Sequence, residues 1–116
     1  MRFIPYSGDD YQGLGYDENH EVFQWNGPGR ILFSATRKGN GMSIHFASNK
    51  RGLRSVKIAV HEFITFIFDT CDWCRMIMGM IDAPSVERTA IKCGFIYAAD
   101  IDNTDHRLYI LQRPTK

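Results

Sequence analysis

Apolar and polar positions along this chain change period several times, and each change marks an element. Glu21-Val22-Phe23-Gln24-Trp25 alternates with the two-residue period of a strand, and Asn26-Gly27-Pro28-Gly29 ends it with dense turn chemistry. Arg30 to Arg37 alternates again, with Ile31, Phe33 and Ala35 on one side. Lys38-Gly39-Asn40-Gly41 reads as a hairpin turn, because Asn-Gly accepts the positive φ that tight turns need. In the returning strand Met42, Ile44 and Phe46 alternate with Ser43, His45 and Ala47. From Ser55 to Cys71 the period becomes helical. Lys57, His61, Thr65 and Asp69 fall on one narrow polar stripe, and Val56, Ile58, Val60, Phe63, Ile64, Phe66, Ile67 and Phe68 cover the rest. A helix apolar over most of its circumference must lie on a sheet.

The flanking segments complete the picture. Arg2 to Tyr6 predicts a first strand, and Ser7-Gly8-Asp9-Asp10 supplies turn and capping chemistry for a helix kept short or irregular by Gly13 and Gly15. Arg75 to Asp82 has Met76, Met78 and Met80 on one face and Ile77, Gly79 and Ile81 on the other, so it reads as a central strand. Pro84 opens a short helix and Gly94 ends it. Phe95 to Ile101 and Arg107 to Gln112 form a closing antiparallel pair around Asp102-Asn103-Thr104-Asp105. A strand–helix–strand unit amid hairpins predicts an α+β domain over residues 1–116. Its sheet is mixed, with the two strands flanking the long helix made parallel by the crossover.

Composition narrows function by exclusion. The 116 residues suffice for one domain with one core, and the 44% apolar and 23% charged content is that of an ordered globular chain. A net charge of +1 gives no global attraction to nucleic acid or anionic membrane, so anion binding must come from a local cluster. The apolar run Val56 to Phe68 is shorter than a membrane span and carries His61 and Glu62, and the opening residues lack the pattern of a secretory signal. Three cysteines, an odd number, favour a reducing compartment, hence a cytoplasmic location.

The local cluster is Asn49-Lys50-Arg51-Gly52-Leu53-Arg54-Ser55, a basic glycine loop running into a helix N-terminus, a backbone shape suited to phosphate. This loop, the element order and Ala90-Ile91-Lys92-Cys93-Gly94-Phe95 together resemble the GCN5-related N-acetyltransferase family, from about Glu21 to Arg113. The resemblance implies that fold, with Asn49 to Ser55 facing the pyrophosphate of acetyl-CoA, which the family wraps in an Arg/Gln-x-x-Gly-x-Gly/Ala loop. Gly52 agrees with that pattern, while Asn49 and Arg54 depart from it. Ala83-Pro84 stands where the family often has an asparagine facing the cofactor, and Ala90 where many members carry the tyrosine that protonates the departing thiolate. Such departures imply a fold kept and a reaction dropped, with no cofactor expected. The alternative is a CoA-dependent N-acetyltransferase moving an acetyl group to an amine. His45, on the strand that lines the acyl-transfer cleft in the family, is then a weak catalytic candidate as base.

A narrower resemblance lies in Phe3-Ile4-Pro5-Tyr6-Ser7-Gly8-Asp9-Asp10, which is similar to a small family of short-tailed-phage head-assembly proteins with this fold. It implies contacts with other virion or head-assembly proteins in the host cytoplasm, with virion association and compatibility with a homo-oligomer. Neither membrane nor nucleic acid is an expected partner.

Other groups read more plainly. Cys71-Asp72-Trp73-Cys74 lies at the C-terminal pole of the long helix, where the dipole does not favour a thiolate. Cys93 with His20, His45, His61 or His106 lacks zinc-finger spacing, so no metal is expected. His61 and Glu62 sit on the long helix, His61 on its polar stripe. Asp100, Asp102 and Asp105 form a turn and not a calcium loop. The Met76/Met78/Met80 face is core filling or, where exposed, a partner surface. Trp25, Tyr11 and Tyr16 are aromatics for a cleft or a protein contact.

Overall fold

The computed structural model describes residues 2–15 and 19–114. Its elements are β1 (Phe3–Pro5), β2 (Glu21–Trp25), β3 (Ile31–Lys38), β4 (Gly41–Ser48), a 3-10 helix (Lys50–Ser55), α1 (Val56–Thr70), β5 (Met76–Ile81), α2 (Pro84–Lys92), β6 (Ile96–Asp100) and β7 (Arg107–Gln112). They build a seven-stranded sheet in the order β1-β2-β3-β4-β5-β7-β6. The β3–β4 hairpin pairs Ile31 through Lys38 with Ser48 through Gly41, as the alternation and the Asn-Gly turn require. Among the described residues only β4 and β5 run parallel, joined through α1, and β5 is central as expected.

One face of the sheet carries the main core. Ile31, Phe33, Ala35, Met42, Ile44, Ile77 and Ile81 meet Ala59, Val60, Phe63, Ile64 and Ile67 of α1. Phe63 stacks on Phe33 with ring centroids 4.3 Å apart, and Phe3 closes on both from β1. Ala90 of α2 and Phe95 join this cluster, so both α-helices pack on the same face. On the other face Leu14, Val22 and Leu32 form a small core with Tyr6, Tyr11 and Ala47.

Three local expectations change. No helix follows Asp10 among residues 7–15: Gln12 and Gly13 take positive φ, and the Leu14 N–H donates to the Tyr11 carbonyl in a turn. The glycine loop is itself helical, a 3-10 segment over Lys50–Ser55, and it runs into α1, which spans Val56–Thr70 as expected. Ile58, grouped with the buried positions by periodicity, is 58% exposed. The polar stripe Lys57, His61, Thr65 and Asp69 does face solvent.

The C-terminus of α1 is tied down by Arg113. Its guanidinium donates to the carbonyls of Phe68, Cys71 and Cys74 at 2.9, 2.8 and 2.7 Å and lies over the Phe68 ring. The last carbonyls of a helix lack internal partners and carry its negative pole, so a cation there satisfies both.

Candidate functional site

Parallel pairing between β4 and β5 stops after three residue pairs, Gly41 to Ser43 against Met76 to Met78. Beyond them the two strands line a cleft of about 170 Å³. Ile44, His45 and Phe46 contribute from β4, and Gly79 to Asp82 from the end of β5 and just beyond. Val60 of α1 and Val86, Thr89 and Ala90 of α2 wall the helix side, while Gly15 comes from the segment over the opposite face. Neighbouring residues of a strand point to opposite faces, so the cleft passes through the sheet from one side to the other. Its lining is mostly apolar, with strand edges left to pair with an extended ligand.

His45 is half-buried in this lining, on the face away from α1, and a Cβ on Gly15 would lie 3.2 Å from its Nδ1. Ala90 lies in the same cleft and offers no proton. Ala83 begins α2 in extended conformation with Pro84 at the first helical position, and it makes no side-chain cap.

The loop Asn49 to Ser55 follows β4 directly, but its backbone is occupied. The Asn49 side chain accepts from the N–H groups of Gly52 and Arg30, both at 2.9 Å. Gly52 N–H also reaches the Asn49 carbonyl at 3.1 Å, and Val56 N–H reaches that of Leu53. The i to i−3 pairing of a 3-10 helix thus engages the amides from Gly52 through Val56. Those of Gly52 to Ser55, the anion donors expected of a pyrophosphate loop, are taken up by the helix's own pairing. Gly52 is a packing position: an added Cβ would sit 2.6 Å from Ser48 Oγ and 2.9 Å from Ile31 Cγ1. Gly29, at φ +76°, presses on it so closely that a Cβ there would lie 2.3 Å from the Gly52 nitrogen. Lys50, Arg51, Leu53 and Arg54 are exposed and Ser55 is half-buried. Anion contacts at this loop therefore fall to side chains. The part played by Gly29 was signalled only by its place in a turn-rich tetrad.

Behind the cleft, α2 is pinned to β7. Arg107 donates to Glu87 at 2.6 Å, and the Tyr109 hydroxyl donates to the same carboxylate. These two hydrogen bonds, that of Tyr109 first, hold the Glu87 pKa below its ordinary value, and the Tyr109 hydroxyl is pushed up by the same contact. Nothing in the alternation pointed to this triad.

The remaining sequence candidates fall elsewhere. Cys74 is fully buried and donates to the Met76 carbonyl, while half-buried Cys71 lines a separate hollow beside Trp73, which Arg37 covers at 3.9 Å. Burial raises the thiol pKa of Cys74 and of Cys93. Among the described residues no three His, Cys, Asp or Glu side chains converge as a metal would need. Glu62 pairs with Arg2 at 3.0 Å, and His61 is exposed. Trp25 is core, and Tyr11 packs edge-on against Tyr6. Tyr16 lies outside the described residues. Met76 and Met78 are half-buried and Met80 is 40% exposed. No helix among the described residues is long and apolar enough to cross a membrane.

No protein-family profile matches the chain, and no curated protein matches it in sequence. Solved structures do match. A protein of Acinetobacter baylyi assigned as an acetyltransferase superposes with TM-score 0.64 at 17% identity over 84% of this chain and 66% of its own. The aminoglycoside acetyltransferase AAC(6')-Ib in complex with coenzyme A gives 0.63 at 14% identity, over 83% of this chain and 68% of its own. A Bacillus subtilis acetyltransferase in complex with CoA gives 0.52 at 17%, over 84% and 79%. The chain spans about two thirds of the length of the first two. The fold is therefore that of the GCN5-related N-acetyltransferases. Relationship to a phage head-assembly family is not among these findings.

Proposed function

We propose that this domain binds an acyl thioester of the coenzyme A type in the cleft between β4 and β5 and transfers its acyl group to an amine. The observation that carries the reading is the early end of β4–β5 pairing, which leaves an apolar slot with two unpaired strand edges. An extended arm bearing amides can pair there as a strand does. The cleft fits the arm. The loop fits a diphosphate through the side chains of Lys50, Arg51 and Arg54 and not through its paired amides.

The bound thioester would supply the activated acyl group. His45 would accept the proton that an attacking amine must lose, from the face opposite the helices. Ala90 donates nothing to the leaving sulfur, but a free thiol has a pKa near 8.5, so a thiolate can leave without an acid. The vacancy slows the reaction by at most the contribution of a general acid, roughly 10²–10⁴-fold.

A thermal-shift titration tests binding. A ligand that binds only the native state stabilises it by about 2.7 kcal/mol at 100 times Kd, so acetyl-CoA should raise Tm. An unmoved Tm at millimolar acetyl-CoA removes the reading. Thiol release from acetyl-CoA with polyamine or peptide amines then tests transfer, and His45→Gln should depress it while the Tm shift persists.

Ala90 favours a second reading, in which the fold acts through virion or head-assembly contacts without turnover. Its mark would be neither an acetyl-CoA shift nor thiol release from any amine offered, and a strong shift would count against it.

A further inference from the structure

The charge of this chain is unevenly placed. Between Val22 and His61 there is no Asp or Glu, while seven Lys and Arg side chains fall in that span. Five of them, Arg30, Lys50, Arg51, Arg54 and Lys57, lie on the turn before β3, the 3-10 helix and the first turn of α1, the segments gathered at the C-terminal end of β4. All five are exposed, and none is in an ion pair among the described residues. Arg30 and the loop are locked together, since the Asn49 side chain accepts from the Arg30 amide. Lys92 extends the charge from the end of α2, which meets α1 where the Cys93 thiol approaches the Lys57 carbonyl at 3.8 Å.

Within this basic collar stand large apolar side chains open to solvent. Leu53 is 61% exposed, Ile58 58% and Ile91 55%. They fall on the 3-10 helix, the first turn of α1 and the last turn of α2. A diphosphate or nucleotide gains nothing from them. A nucleic acid would favour stacking surfaces, and Asn49 to Ile58 contains no aromatic residue. Exposed apolar side chains on elements that also carry unpaired cations match an amphipathic helix whose exposed side is acidic.

We infer that this collar docks an acidic carrier protein that delivers its thioester on a phosphopantetheine arm, the arm entering the β4–β5 cleft. The inference rests on the thioester reading above and replaces free acetyl-CoA with a protein-borne donor. It explains together why the loop amides are engaged in 3-10 pairing and why Leu53, Ile58 and Ile91 stay uncovered. A carrier's arm brings a single phosphodiester, which one or two collar cations can meet, and the remaining cations face the carrier itself. Docking and arm insertion also reinforce each other, because the second contact becomes intramolecular once the first has formed.

The test compares four probes by fluorescence anisotropy at low salt: an acetylated bacterial acyl carrier protein, acetyl-CoA, S-acetyl-4'-phosphopantetheine and a 20-nucleotide RNA. The carrier should bind at least about tenfold tighter than either small thioester, and 0.5 M salt should remove most of that advantage. Ile58→Asp and Ile91→Asp, both at exposed positions, should erase the carrier's advantage and leave binding of S-acetyl-phosphopantetheine unchanged. If acetyl-CoA binds and the carrier binds no tighter than its free arm, the inference fails and the thioester reading stands. If neither small thioester nor carrier binds, both fail. An RNA that binds more tightly than the carrier also overturns the inference.

Discussion

Substituting alanine at Gly52 separates a glycine kept for packing from one kept for a phosphate. The new Cβ would stand 2.6 Å from Ser48 Oγ, 2.9 Å from Ile31 Cγ1 and 3.3 Å from Asn49 Oδ1. Ser48 can rotate away, but only by giving up its hydrogen bond to the Asn49 carbonyl at 2.8 Å. Ile31 is fully buried in the main core and has nowhere to go. Overpacking of this kind costs about 1–3 kcal/mol, and the reduced freedom of the unfolded chain returns roughly 0.4–1 kcal/mol. The net loss should be about 1–2 kcal/mol, a Tm lowered by roughly 4–8 °C for a domain near 100 residues. Urea unfolding followed by fluorescence measures it. Adding Ser48→Ala to Gly52→Ala should recover part of the loss, with a coupling of at least about 0.5 kcal/mol, because the two sites share one contact. Gly29→Ala should lose more, about 2 kcal/mol or above, since it adds the left-handed strain of φ +76° to a backbone collision. A Gly52→Ala protein as stable as the parent, yet no longer responsive to acetyl-CoA, would refute the packing argument and return the glycine to ligand binding.

Other changes should act as follows. Arg113→Met removes three carbonyl contacts at the end of α1 and should destabilise by about 3 kcal/mol in urea unfolding; a loss under about 1 kcal/mol would show that water replaces the guanidinium there. Glu87 has its pKa depressed below the ordinary 4.5 in the folded state, so its stabilising contribution is present above that value and fades as pH falls through the depressed one. Glu87→Gln should accordingly flatten the acid limb of a Tm-against-pH curve, and an unchanged limb would contradict the assigned hydrogen bonds. Gly15→Ala brings a methyl within 3.2 Å of His45 Nδ1. It should lower acyl transfer several-fold by displacing the imidazole while leaving Tm nearly unchanged; equal activity would argue against His45 as the base.

Much of the framework was legible because each element buried one face with a clean period. The β3–β4 hairpin, the apolar helix and the central β5 all follow from alternation or its absence. Ile58 was grouped with the buried positions, yet at helical spacing it projects between Thr65 and Asp69 of the polar stripe, while Val56 and Ala59 of the same turn are buried. It proposed a helix after Asp10 because capping residues were present. The left-handed Gln12 and Gly13 and the small Leu14–Val22–Leu32 cluster decided otherwise. The cleft itself left no trace in the alternation. Ile44 to Phe46 and Gly79 to Ile81 read as ordinary strand, and only the pairing register shows that they part company. Asn49 was read as a departure from a ligand-binding loop, yet its acceptance from both Arg30 and Gly52 gives it a capping role that no local spacing could reveal.

The two halves of the site answer to different constraints. The cleft opens through the sheet, with Val60 and Ala90 on the helix side and His45 and Gly15 on the other. On the thioester reading proposed above, a donor entering past α1 and α2 would meet an acceptor approaching the opposite face, beside Gly15. Among the described residues both α-helices lie on one face, and the stretch through Tyr6, Tyr11 and Leu14 covers the far side. On that reading acceptor choice would depend on the stretch through Tyr6, Tyr11 and Leu14, and donor choice on a loop fixed by Asn49, Gly29 and Gly52. A substitution in the first region should change which amine is used, and one in the second should change which thioester is bound. Exchange of those effects would mean that donor and acceptor enter from the reverse sides.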